Sequence, residues 1–223
     1  MMTIAALLTC HNRRDKTMAC LQALMALELP QDCRLDVVLV DDGSTDGTSA
    51  AVRRAFPEVE ILTGPGDLYW CGGMRVAWKA AASRDPDYYL LANDDTILDR
   101  DAATSLLELV PSAEERIIAV GAIRDPETGE PTYGGVDERG MLLPATGSPR
   151  HCRTFNGNAV LIPRAVYQTL GPFHHVYTHG MGDYDYGIQA RKQGVSIIQT
   201  AGMIGHCARN PETNTWRDRS LSR

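Results

Sequence analysis

The chain predicts an α/β fold built on a mostly parallel sheet flanked by helices, and three observations carry that expectation. Aliphatic runs of strand length alternate with segments of helical periodicity. Some runs, such as Leu35 to Val40, are near-continuously apolar, as strands buried on both faces of a parallel sheet must be. Finally, several runs stop abruptly on polar loops, most sharply where Tyr88 to Ala92 gives way to Asn93-Asp94-Asp95. In open α/β sheets ligands bind outside the carboxyl ends of the strands, so those loops mark the expected site.

The elements follow in order. Thr3 to Thr9 reads as a strand, and Met18, Leu21 and Met25 recur at helical spacing behind it, with Asn12 as the expected N-cap. Leu35 to Val40 is the second strand, ending on Asp41-Asp42-Gly43-Ser44-Thr45-Asp46-Gly47. Asp46 is placed to cap a helix carrying Val52 and Phe56 and stopped by Pro57. Val59 to Thr63 is a third strand and Gly64-Pro65-Gly66 a turn. Met74, Ala77, Trp78 and Ala81 then mark one face of a helix leading into the Tyr88 strand. Leu106, Leu107 and Val110 mark another helix, followed by a strand from Ile117 to Ile123. Residues 125–150 are rich in glycine and proline and predict a loop-rich arm with a hairpin around Tyr133 to Leu143. Asn158 to Ile162 restores a buried strand, with Pro163 at the first position of a helix. Asp183 to Gln193 is a helix stopped by Gly194, and Val195 to Thr200 a final strand.

Bulk properties narrow the function classes. A length of 223 residues predicts one domain over 1–207, followed by a polar tail over 208–223. Hydrophobic content of 43% and charged content of 22% are ordinary globular values, and a net charge of -6 argues against a nucleic-acid binder. Six cysteines without a CxxC pair remove zinc-ribbon and thioredoxin readings and fit reduced thiols in a cytosol. The N-terminus lacks the pattern of a signal peptide, and no run approaches the roughly 20 apolar residues of a membrane span. The expectation is a cytoplasmic protein, with any membrane contact peripheral and at the inner face.

Two polar stretches carry chemistry. Asp42, Ser44, Asp46 and Gly47 match the first half of a calcium-binding EF-hand loop, but its twelfth position is Arg53 where a bidentate glutamate is required, which removes that reading. The open alternatives are a turn before a capped helix or a carboxylate fixed at a strand end to bind a nucleobase or ribose. Asn93-Asp94-Asp95 is either a solvated loop or a ligand edge. In the second case Asp95 and His206 together suit a hard divalent cation completed by diphosphate oxygens and water, with mixed oxygen and imidazole ligation favouring Mn²⁺ over Mg²⁺. A lone histidine is more often a satisfied polar residue than a ligand, so His206 carries both readings.

Taken together, Leu8-Thr9-Cys10-His11-Asn12-Arg13, Val40-Asp41-Asp42-Gly43-Ser44-Thr45-Asp46, Leu91-Ala92-Asn93-Asp94-Asp95-Thr96 and Gly182-Asp183-Tyr184-Asp185 resemble a family 2 glycosyltransferase of GT-A fold, and are similar to its bacterial rhamnosyltransferase-like members. The resemblance implies that Thr9, His11 and Arg13 form the first nucleotide-binding loop and that Asp42 contacts the base. It implies that Asp95 is the metal-binding acid of a DxD-type motif whose first position is Asn93, with Asp94 serving the ribose or sugar. Asp183 falls on the catalytic base, and His206 where a further metal ligand often stands. Gly66 to Arg75 matches the donor-side loop, where Gly72 and Gly73 would let backbone N–H groups approach a diphosphate and Arg75 would add charge. Val76 and Trp78 depart from the family's frequent Asn and Gly. Asp185, about 200° around a helix from Asp183, is expected to orient it. His174, His175 and His179 form either an exposed loop or an acceptor contact, and Asn156-Gly157-Asn158 lies near the sugar.

The implied activity is inverting transfer of a sugar from a UDP- or dTDP-linked donor to the hydroxyl of a glycan or lipid-linked glycan acceptor, in bacterial polysaccharide or glycoconjugate synthesis. Two alternatives stay open, a catalytically silent nucleotide-sugar binding module and a sugar-nucleotide pyrophosphorylase. The second lacks its glycine-rich N-terminal loop here, since Thr9 to Arg14 contains no glycine.

Overall fold

A computed structural model describes residues 1–209; the expected polar tail lies outside them apart from Ala208 and Arg209. The first half of the chain alternates as expected: β1 (Met2–Cys10), α1 (Arg14–Met25), β2 (Cys33–Asp41), α2 (Thr48–Ala55), β3 (Glu60–Thr63), α3 (Tyr69–Ala82) and β4 (Tyr88–Ala92). A short β5 (Ile97–Leu98), α4 (Ala102–Leu107) and β6 (Ile117–Arg124) follow. The arm contributes β7 (Pro131–Tyr133) and β8 (Gly135–Val136), and β9 (Arg150–His151) and β10 (Thr154–Phe155) come after it. Next are β11 (Ala159–Pro163), α5 (Arg164–Leu170), α6 (Gly182–Lys192) and β12 (Ser196–His206).

The main sheet runs β3-β2-β1-β4-β11-β6-β12-β5. Strict alternation along β1 explains its layers, because successive side chains point to opposite faces. Ile4, Ala6 and Leu8 pack with Cys20, Leu21 and Leu24 of α1 and Leu106 of α4. Ala5 and Leu7 pack on the other face with Met74, Ala77 and Trp78 of α3. Both faces of the strand are therefore covered, which is why its sequence shows no polar alternation. The departure at Trp78 is a core device: its buried ring contacts Tyr89, Tyr167, Phe173 and Tyr186, tying α3 to β4, α5 and α6.

Several boundaries differ from expectation. β11 is antiparallel to both neighbours, with Ala159 opposite Ala92 and Pro163 opposite Tyr88. The chain leaves β6 at the carboxyl edge and, after the arm, re-enters the sheet from that same edge, so it must run backwards. Pro163 is the N-cap of α5, one position before the first helical residue. Asn12 does not cap α1: it sits at φ 51, and its side-chain carbonyl accepts the Thr45 N–H at 2.7 Å. The cap comes from Asp46, which accepts the Arg14 N–H at 2.9 Å and the Thr48 N–H at 3.0 Å. One carboxylate thus satisfies orphan donors at the start of both α1 and α2. The arm forms the expected hairpin, with Leu143 N–H donating to the Gly135 carbonyl at 2.8 Å. Finally, β12 runs on to His206 through two register shifts and pairs with β5.

Candidate active site

The carboxyl edge of β1, β2 and β4 gathers three loops. Asn12, Tyr69 and Met181 enter α1, α3 and α6 with left-handed backbone at φ 51, 53 and 72. Such conformations cost non-glycine residues of order 1–3 kcal/mol and cluster where structure serves a ligand.

At the centre, Arg13 Nη1 forms an ion pair with Asp94 Oδ1 at 3.0 Å, and Nη2 donates to Asp95 Oδ2. Lys16 Nζ stands 3.9 Å from that second oxygen. Asp94 also accepts the Thr17 hydroxyl at 3.3 Å. Burial pushes the Asp94 carboxyl up from 3.8 to about 6, against the pull of Arg13 and with the help of Asp95. Burial alone would lower Arg13, but the two carboxylates hold its guanidinium above its ordinary value. A cleft of about 470 Å³ lined by Asn12, Arg13, Arg14, Asp15, Lys16 and Asp46 opens beside this cluster.

The raised Asp94 value makes a signed prediction for metal-free protein. Between 3.8 and about 6 the folded state binds more protons at Asp94 than the unfolded state does, so this group's contribution to stability falls as pH rises through that window. Asp94→Asn removes the penalty. Its stability relative to wild type should rise between acid and neutral pH by on the order of 3 kcal/mol, read by urea unfolding across pH in EDTA. A difference that does not change with pH contradicts the assignment.

Asp42 is buried and fully engaged. Oδ1 accepts the Gly66 N–H at 2.8 Å, and Oδ2 accepts those of Leu68 and Tyr69 at 2.9 and 3.1 Å. The Asp42 carbonyl accepts from His11 Nδ1 at 2.6 Å. The residue expected to meet a nucleobase is therefore the pin joining the first loop, the second loop and the entry to α3. Thr9 is turned against α3, where a Cβ added at Gly73 would lie 2.1 Å from its Oγ1. Gly72 is also buried inside the helix, and the Cys71 and Gly72 N–H groups donate to the Thr178 carbonyl at 2.9 and 3.3 Å. Gly73 thus allows close packing of α3 on β1, a Cβ at Gly72 would instead meet Leu68 at 3.2 Å, and the Gly72 N–H expected to meet a diphosphate has a protein partner. Arg75 is likewise engaged, donating to the Tyr177 carbonyl at 2.5 Å.

A second chain of contacts reaches Asp183. Asn93 Oδ1 accepts the Trp70 Nε1–H at 2.8 Å, and a Cβ at Gly157 would lie 2.5 Å from the Trp70 ring. Gly157 N–H donates to Asp183 Oδ2 at 2.9 Å, while Asp183 Oδ1 accepts the Tyr184 N–H at 2.9 Å. Asp183 stands in the first turn of α6, where the helix dipole favours a carboxylate. Asp185 points elsewhere and accepts from Gln189 at 3.0 Å. His179 lies beside Tyr69 with ring centroids 5.9 Å apart, and His174 beside His175 at 4.4 Å.

For a cation, Asp95 offers a buried Oδ1 without a hydrogen-bond partner among the described residues, a hard oxygen acceptor that fits a divalent ion. β12 places His206 opposite Ile97, two residues beyond Asp95. Among the described residues no group of three or more His, Cys, Asp or Glu could hold a metal by itself. Any cation here would draw further ligands from bound diphosphate and water.

Lys16, Thr17 and Trp70 were not among the expected site residues. Lys16 and Thr17 were visible as polar positions in the first turn behind Arg13; only contact shows that Trp70 reaches Asn93.

The architecture is the GT-A fold of the nucleotide-diphospho-sugar transferases. The profile of glycosyl transferase family 2 matches residues 6–175, and the chain belongs to that family. No curated protein matches the chain in sequence. Among solved structures it is similar to the mannosyltransferase PcManGT from Pyrobaculum calidifontis in complex with GDP-Man and Mn²⁺, at TM-score 0.69 and 19% identity, covering 95% of this chain and 58% of that one. It is similar to S. aureus TarS 1-349 in complex with UDP-GlcNAc, at TM-score 0.69 and 14% identity over 94% and 59% of the two chains. A third neighbour is GalNAc-T7 with UDP, GalNAc and Mn²⁺, at TM-score 0.70 and 13% identity over 97% and 45%. The chain thus spans 45% to 59% of the length of these proteins. No helix among the described residues is long and apolar enough to cross a membrane.

Proposed function

We propose that this chain is a cytoplasmic, inverting, metal-dependent transferase that moves a sugar from a UDP- or dTDP-linked donor to an acceptor hydroxyl on a glycan or lipid-linked glycan, with any membrane contact peripheral. The observation that supports it most is the continuous path Asn93, Trp70, Gly157, Asp183, which joins the acidic end of β4 to an acid on α6 across an open edge.

An alcohol is a poor nucleophile, and a nucleoside diphosphate leaves with added negative charge, so the reaction needs a base on one side and positive charge on the other. Asp183, held by two backbone N–H groups, takes the acceptor proton. Asp95, with His206, would hold Mn²⁺ or Mg²⁺, which when bound supplies charge to the departing diphosphate. Arg13 and Lys16 add to that charge from α1. Attack opposite the leaving group inverts the anomeric centre.

Donor binding tests the metal role. Asp95→Ala should abolish the Mn²⁺-dependent part of nucleotide-sugar affinity, measured by titration calorimetry with Mn²⁺ and with EDTA. Identical wild-type isotherms in the two buffers would remove it. The silent-module alternative differs in one observable, binding the donor without releasing nucleoside diphosphate.

A further inference from the structure

The acidic edge is already neutralised by its own chain. Asp94 and Asp95 side chains are only 4% and 6% exposed, while Arg13 and Lys16 reach in from the solvent side with 33% and 60% of their side chains exposed. The two acids sit on the backbone beyond β4; Arg13 is the N-cap of α1 and Lys16 lies in its first turn, and both side chains reach the same Asp95 oxygen. Two negative and two positive charges sum to zero. A divalent cation arriving alone would bring two further positive charges to a neutral site and meet repulsion from Arg13 and Lys16. A cation arriving with a diphosphate brings its own counter-charge and offers both side chains a new partner.

Resting on the transferase reading above, we propose that Arg13, assisted by Lys16, is a resident counter-ion that occupies the acids until donor diphosphate arrives and then passes its ion pair to that diphosphate, so that cation and donor enter together. The guanidinium suits such an exchange, because its planar fork matches carboxylate and phosphate alike. Its current contacts use Asp94 Oδ1 and Asp95 Oδ2, while Asp94 Oδ2 accepts the Thr17 hydroxyl and Asp95 Oδ1 is buried without a hydrogen-bond partner among the described residues. Arg13 acts here as a positioning residue that sets the order of binding.

The test is a titration of the full chain with MnCl₂ alone, no nucleotide present, followed by electron paramagnetic resonance. Arg13→Gln should bind Mn²⁺ about tenfold more tightly than wild type, Lys16→Gln about threefold more tightly, and Arg13→Lys like wild type. Circular dichroism establishes that each variant is folded, and the exposed Lys16 site provides the answer if Arg13→Gln fails to fold. Unchanged or weaker Mn²⁺ binding in folded Arg13→Gln and Lys16→Gln overturns the proposal, as does equal tightening by Arg13→Lys. The outcome also separates it from the reading it rests on. If the variants fail to tighten while Asp95→Ala still loses Mn²⁺-dependent donor affinity, the counter-ion role falls and the transferase stands. If wild type shows no Mn²⁺-dependent donor binding at all, both fall.

Discussion

Asp183→Asn should lower turnover by about 10²- to 10⁴-fold, the usual contribution of a positioned general base, while nucleotide-sugar affinity stays within about twofold of wild type. The substitution keeps the shape of the side chain and one acceptor oxygen, so one of the two backbone N–H bonds to Gly157 and Tyr184 survives. What it removes is the capacity to take a proton. A modest loss of stability, about 1 kcal/mol, is expected from the amide hydrogens that face the remaining N–H. The informative comparison is therefore turnover against donor dissociation constant in the same preparation. Equal losses in both would mean that Asp183 shapes the donor site and that the base lies elsewhere.

Asp42→Ala should be the most damaging single change to the architecture of the site. Removing this buried carboxylate strands three N–H groups, those of Gly66, Leu68 and Tyr69, at the entry to α3. Hydrogen bonds to a charged group contribute about 1.5–3 kcal/mol each, and partial rehydration of the loop recovers some of that, so a loss of about 4 kcal/mol is expected. For a chain of this size that corresponds to a fall of roughly 10 °C in Tm. Asp42→Asn keeps one acceptor and should fall about half as far. Donor affinity should decline with both, because the turn pinned by Asp42 leads directly into Trp70 in the first turn of α3, whose indole is fixed to Asn93. A wild-type Tm for Asp42→Ala would refute the pinning role.

The parts of this fold that were legible in the sequence are those governed by local periodicity. The buried faces of α3 and the apolar runs of β1, β2 and β4 follow from side-chain alternation and helical spacing, and their abrupt polar ends mark where the strands stop. Strand direction has no such signature: β11 is as apolar as a parallel strand, and only the path of the arm reverses it. Capping across loops was equally hidden, since the donor at the start of α1 is satisfied by Asp46, far along the chain, and not by the adjacent Asn12. Glycine has two uses that sequence does not separate. Gly73 is expected to let a backbone N–H approach a diphosphate, and its missing side chain also makes room for Thr9 of the neighbouring strand. Asn93, read as a weakened first acid of the motif, has a positive task in holding Trp70, a pairing visible only when β4 and α3 are side by side.

In the proposed function the edge of β4 and the start of α6 act as one transferase site. Its most direct test is release of nucleoside diphosphate from a panel of nucleotide-sugars with Mn²⁺, by the wild-type chain and by Asp183→Asn, with and without glycan acceptors. Wild type should release nucleoside diphosphate from a UDP- or dTDP-linked sugar, stimulated by an acceptor, suppressed by EDTA and lost in Asp183→Asn. Donor binding with no release from any nucleotide-sugar, under any acceptor, would contradict it.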